Sequence, residues 1–293
     1  MTDLPIKGVF CAAATPLRPD LSPDLGVFVE HCRTLLDEGC DGIALLGTTG
    51  EANSFSTAER KSLLEAAVKG GVAPEKLIPG TGVAAFTETA ELTQHALSLG
   101  VDTVVMLPPY YYKSVPEEGV FAAYAAIVER VADPRLRVIL YHIPQFSAVP
   151  IAHDMIERLR KEFPGTFIGL KDSSGDYANM QALVKRFPGF SVLAGADPLM
   201  LKLLKEGGAG CITSACNLAA ADLAVVFRHY ADPSREAEVQ AAQERVVAMR
   251  NRVSQFAQIP SVKALLRQKT GHPSWGAMRP PLLPLTPEEI ERL

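Results

Sequence analysis

The chain has 293 residues, of which 47% are hydrophobic and 21% charged, and a formal net charge of −4. That balance excludes the low-hydrophobicity composition of a disordered chain. Acidic and basic residues are interspersed, so no basic stripe is left for nucleic acid or an anionic membrane, and a small-molecule ligand is expected.

The opening segment MTDLPIKGVFCAAATPL carries a short apolar run broken by Thr15 and Pro16, the wrong pattern for a secretory signal. No apolar stretch reaches the roughly 18–20 residues of a membrane span, so a cytoplasmic location is expected. The five cysteines, Cys11, Cys32, Cys40, Cys211 and Cys216, lack CxxC spacing, and the six histidines show no ligand spacing. Neither a disulfide framework nor a metal site is expected, and the cysteines read as small buried apolar groups.

Eight short apolar runs follow in chain order, at residues 8–14, 42–47, 77–82, 103–108, 137–143, 167–171, 191–196 and 210–214. Each is followed by a stretch with helical spacing of apolar positions. Most runs are apolar throughout, the pattern of a parallel sheet covered by helices, and eight repeats of strand then helix fit closure of a (β/α)8 barrel. Between them, Ser56 or Thr57 starts a helix with Glu59 in its first turn, and stretches from Asp154 and Asp197 read likewise. Glycines 39, 70 and 100 sit where helices end. The eighth barrel helix is expected over 219–232, a long helix over 234–257, and another from Pro260 to about Lys269. The fold class is therefore α/β, a TIM barrel over 1–232 with a small helical extension over 233–293.

Barrel enzymes place their chemistry where strands run out at the carboxyl end. Lys171 follows Phe167-Ile168-Gly169-Leu170 without a turn and shares strand parity with Gly169, which sends its amine into the barrel. An ammonium is not a nucleophile, and an apolar barrel mouth disfavours its charge. The alternative is a lysine that snorkels to the rim or pairs with Asp172, and this segment alone supports both readings equally. Tyr141 ends the neighbouring run, so its phenol is available for general acid/base work beside Lys171. Gly47-Thr48-Thr49-Gly50-Glu51 lacks the ending of a P-loop, and its two hydroxyls and backbone N–H groups suit a carboxylate. Gly80-Thr81-Gly82-Val83-Ala84-Ala85 formally matches a dinucleotide-binding pattern. Its partner acid would be Asp102, which precedes a strand instead of ending one, so that reading fails.

The pieces GTTGE, PPYYY, LYHIP, GLKDSSGD and GCITSACN, in that order, resemble the dihydrodipicolinate synthase and N-acetylneuraminate lyase superfamily of class I aldolases. The resemblance runs from Gly8-Val9 to Arg279-Pro280-Pro281-Leu282-Leu283-Pro284. It implies Lys171 as the Schiff-base lysine for pyruvate and Tyr141 as the proton shuttle. Thr48 and Thr49 are implied at the pyruvate carboxylate, with Thr49 also in a proton relay, and Gly195 and Ile212 along the pyruvate pocket. Tyr111 is implied to reach a neighbouring subunit, which makes the protein a homo-oligomer, at least a tight dimer and usually a tetramer built as a dimer of dimers. No metal or organic cofactor is implied; the partners are a 2-keto acid and an aldehyde.

Two departures bear on substrate choice. Phe146 stands where the synthases carry an arginine for the second carboxylate, which argues against that activity and for an apolar or bulky distal group. Pro198 follows Asp197 where sialic acid lyases carry a glutamate. Ser173 and Ser214 remain available to a polyol. The expected function is carbon–carbon bond making or breaking through a lysine imine. The alternatives are a keto-deoxy sugar-acid dehydratase or deaminase using the same imine, and a non-catalytic keto-acid-binding protein.

Overall fold

The computed structural model describes residues 5–293. Seven strands form one parallel sheet in the order β2-β1-β7-β6-β5-β4-β3. They are β1 (Gly8–Cys11), β2 (Gly42–Ile43), β3 (Thr103–Met106), β4 (Arg137–His142), β5 (Phe167–Asp172), β6 (Ser191–Ala194) and β7 (Gly210–Thr213). The two edges are joined by the run at 77–82. Ile78 N–H donates to the Ile43 carbonyl at 2.9 Å and Gly80 N–H to Leu45 at 2.8 Å, while Val105 N–H donates to Pro79 at 2.9 Å. All eight apolar runs therefore take part in a closed barrel. The third falls short of a regular strand because Pro79 has no N–H to give, and a Cβ on Gly80 would lie 2.2 Å from the Leu46 carbonyl oxygen.

Parity along each strand separates two apolar layers. Phe10, Ile78, Val105, Ile139, Tyr141, Leu193 and Ile212 fill the barrel interior. Val9, Val104, Val138, Leu140, Leu170 and Val192 face outward against the surrounding helices. These are α1 (Leu25–Asp37), α2 (Thr57–Lys69), α3 (Phe86–Ser98), α4 (Glu117–Val131), the short α5 (Pro144–Ser147), α6 (His153–Glu162), α7 (Tyr177–Arg186), α8 (Met200–Lys205) and α9 (Cys216–His229). All five cysteines are free and buried, and all five belong to this outer layer.

Local signals explain most helix ends. Ser56 caps α2 through a capping box with Glu59. Gly39 and Gly100 take positive φ after α1 and α3, as the sequence suggests. Gly70 does not: its φ is −73°, and the left-handed residue is Gly71. Gly70 is needed for space, since a Cβ there would lie 2.4 Å from Val29 Cγ1.

Beyond α9 come α10 (Glu236–Val253), α11 (Gln258–Thr270) and, after an extended tail, α12 (Pro287–Arg292). These helices close over the barrel mouth. Val253, Val262, Leu265, Leu266 and Trp275 pack with Ala14 from the end of β1. At this junction Asn217 uses its whole amide: Nδ2 donates to the carbonyls of Ala12 at 2.9 Å and Ser214 at 2.8 Å, and Oδ1 accepts from Ala14 N–H at 3.0 Å. His31 Nε2 lies 2.9 Å from the same Oδ1, so the neutral ring carries its proton on Nε2. Among the described residues no helix is long and apolar enough to cross a membrane.

One tie between these helices and the barrel is ionic. Lys263 Nζ on α11 lies 2.6 Å from Glu51 Oε1, with side-chain exposures of 1% and 0%. Glu51 Oε2 also accepts from Arg279 N–H at 3.2 Å. Removing one member of a buried pair leaves an uncompensated charge. Lys263→Met is therefore expected to cost about 3–5 kcal/mol, read as a fall in the urea midpoint.

Burial, with a smaller push from Lys269, lowers the His31 pKa to about 4 against the hydrogen bond to Asn217 and the charge of Glu38. The unfolded chain takes up this proton near pH 6.5 and the folded chain only near 4. The associated stability is thus complete above pH 6.5 and is lost on acidification toward 4, on the order of 3 kcal/mol. Denaturant midpoints at pH 7 and pH 4.5 should differ less in His31→Gln than in the native protein.

Candidate active site

The parallel pairing of β4 with β5 sets Tyr141 opposite Lys171 in register. Leu170 points outward, so Lys171 points inward, and only 6% of it is exposed. Its Nζ stands 4.1 Å from the centroid of the Tyr141 ring. Asp172 lies on the other face with a fully committed carboxylate: Oδ1 accepts from Ser174 N–H at 2.8 Å and Ser174 Oγ at 2.6 Å, and Oδ2 from Asn179 Nδ2 at 2.7 Å. Of the two readings open for Lys171, the structure has the inward one. The amine neither snorkels to the rim nor pairs with Asp172.

The Tyr141 hydroxyl lies 3.2 Å from Thr48 Oγ1. Burial alone would raise the phenol's pKa, but the charge of Lys171 and the hydrogen bond with Thr48 outweigh it and hold the pKa below the ordinary value. The threonine in contact with the phenol is Thr48; among the described residues no hydrogen bond joins Thr49 to Tyr141. Thr49 is 5% exposed and lines the same cavity. The turn that carries both is tight: Glu51 has φ 56°, and Ala52 N–H donates to the Gly47 carbonyl at 3.2 Å. The backbone N–H groups of Thr48 and Thr49 meet no protein acceptor among the described residues, leaving two donors beside two hydroxyls.

These groups open on a cavity of about 360 Å³. Ser173, Gly195, Ile212, Ser214 and Phe146 line it together with Lys171, Tyr141 and both threonines. Gly195 is there for space, since a Cβ would lie 2.0 Å from Ser173 Oγ and 2.7 Å from the Asp172 carbonyl oxygen. Phe146, in α5, sits on the rim with 69% of its surface exposed. Tyr111 does not reach the cavity. It is 73% exposed on the loop after β3, edge-on to Tyr112 with centroids 5.4 Å apart.

Two polar lining residues from the C-terminal helices lie outside the sequence expectations. Arg250 on α10 and Gln258 at the start of α11 both enter the cavity wall. Arg250 Nη1 is 3.4 Å from Ser214 Oγ and 3.5 Å from Asp197 Oδ2, and Gln258 Nε2 also donates to Ser214 Oγ. Helical spacing marks such residues as surface positions, and nothing in the sequence says that this helix face closes over a pocket.

A lysine and a tyrosine in register at the mouth of a closed barrel, with a paired-threonine turn alongside, agree with the match of residues 5–293 to the dihydrodipicolinate synthetase family. The chain belongs to this family. It is 38% identical to an uncharacterized DapA-like lyase of Chloroflexus aurantiacus, over 98% of this chain and 94% of that one. It is 31% identical to a 4-hydroxy-tetrahydrodipicolinate synthase of Synechocystis sp., over 99% and 94% respectively. The crystal structure of dihydrodipicolinate synthase from Agrobacterium tumefaciens superposes with a TM-score of 0.86 at 29% identity, covering 97% of this chain and 96% of that one. The fold of this family, the TIM barrel with its C-terminal helices, is the fold seen here, and the protein is a lyase of the dihydrodipicolinate synthetase family.

Proposed function

We propose that the protein is a class I aldolase that binds pyruvate or a longer 2-keto acid as a Schiff base on Lys171 and makes or breaks a carbon–carbon bond to an aldehyde. The observation that carries this reading is the buried Lys171 amine 4.1 Å from the Tyr141 ring centre, with no carboxylate among the described residues that line its cavity. The 2-keto acid's carboxylate fits the turn, which offers hydroxyls and two backbone N–H donors without a protein acceptor among the described residues. Attack of the neutral amine on C2 forms the C–N bond and expels the keto oxygen as water, with Tyr141 moving the protons. The imine then draws electrons from C3. Loss of a C3 proton gives an enamine, which adds to the aldehyde carbon while the aldehyde oxygen takes up a proton. Water releases the product and restores the amine, and cleavage runs the same steps in reverse. Thr48, in contact with the phenol, links Tyr141 to the turn.

Tyr111 and Tyr112, exposed beside the mouth, fit a face that meets a second copy, and we assign the protein as a homo-oligomer on that ground.

Borohydride reduction with pyruvate should give a stable mass increase located on Lys171 by peptide mapping and absent in Lys171→Ala. A native protein whose mass does not change removes the proposal. Tyr141→Phe should fold normally and form the trapped adduct about 10²–10⁴ times more slowly, the usual contribution of a positioned acid/base group.

A further inference from the structure

Among the described residues the only basic side chains in the cavity are Lys171 and Arg250, and no acidic side chain lines it. The two cations come from different parts of the chain: Lys171 from the barrel, Arg250 from a helix that follows it. Asp197 lies behind Arg250, wholly buried and outside the cavity wall, with its Oδ2 3.5 Å from Nη1. Both contacts of the guanidinium, with Asp197 and with Ser214 Oγ, use Nη1, so Nε and Nη2 have no protein partner among the described residues, and a quarter of the side chain is exposed. Gln258 Nε2 and Arg250 Nη1 converge on Ser214 Oγ, so two side chains from two helices present N–H donors at one place. Phe146 has no such donors and stands at the rim.

We propose that Arg250, assisted by Gln258 and Ser214, is a distal carboxylate subsite, so that the protein takes 2-keto acids whose far end carries a second carboxylate. This rests on the Lys171 reading above, which supplies the near end of the ligand. A planar guanidinium with free donors matches a carboxylate bidentately, and the amide of Gln258 adds a third donor. The cavity volume of about 360 Å³ is in the range of sites for small organic ligands. The apolar distal group suggested by Phe146 alone is thereby replaced. The cation that recognises the second acid enters from the C-terminal helices instead of from the loop after β4.

The test compares diacids with partners of equal length that end in a methyl group: 2-oxoglutarate with 2-oxopentanoate, 2-oxoadipate with 2-oxohexanoate, and 2-oxopimelate with 2-oxoheptanoate. The readout is the concentration giving half-maximal borohydride trapping on Lys171. In the native protein at least one diacid should trap at a concentration about tenfold or more below its partner, and Arg250→Met should bring that ratio to within about threefold of one. Gln258→Leu, which keeps the Asp197–Arg250 contact, should reduce the same ratio partway and serves if Arg250→Met does not fold. Equal trapping within every pair, or a preference that survives in Arg250→Met, overturns the subsite. Failure of pyruvate itself to trap overturns the Lys171 reading instead. Calorimetric binding of the same acid pairs then still decides the role of Arg250, by whether the diacid binds more tightly than its partner.

Discussion

The register between β4 and β5 is the constraint on which the site depends. In a parallel ladder, residues opposite each other share a face, so pairing Tyr141 with Lys171 sends both side chains to the interior together. A slip of one position would send the lysine to the outer layer, among Leu140, Leu170 and Val192. The outward residues pin the register: Leu140 opposite Leu170 packs under the helices, and the Asp172 carboxylate is anchored by Ser174 and Asn179. The Lys171–Tyr141 geometry is thus held by apolar burial and one anchored acid on the outer face of the sheet.

Much of this arrangement is legible in the chain because it follows from period and parity. Eight apolar runs separated by helical stretches point to the barrel, and the position of Lys171 two residues after Gly169 points inward. Whether that amine snorkels to the rim or pairs with Asp172 is not legible, because either is open to an isolated strand end; the hydrogen bonds of Ser174 and Asn179 decide it. The threonine that meets Tyr141 was likewise beyond the sequence. Two adjacent hydroxyls in a turn point in different directions, and only the left-handed Glu51 and the hydrogen bond from Ala52 to Gly47 fix which one faces the phenol.

Arg250 and Gln258 were hidden for a different reason. They lie on helices whose polar faces look like ordinary solvated surface, and their contribution arises from the packing of α10 and α11 back over the barrel mouth. Asn217 closes the motif GCITSACN with no sign of its role, yet its amide joins the end of β1, Ser214 and His31 in one network. Strand pattern therefore reports the near half of the pocket, while the far half is a property of tertiary assembly. Substrate choice drawn from the strand-end motifs alone, as from Phe146, describes only part of the wall.

The Glu51–Lys263 pair spans 212 positions of sequence. During synthesis the threonine turn leaves the ribosome long before its counter-charge, and a carboxylate without its ammonium stays hydrated. The barrel strands are complete by residue 213, but the turn acquires its lock only once α11 has emerged and docked. A nascent chain that stalls between those points carries every barrel-borne group of the site and still lacks the closed mouth that orders them. Late arrival of a single lysine thus ties the ordering of the mouth to a folding step that follows completion of the barrel.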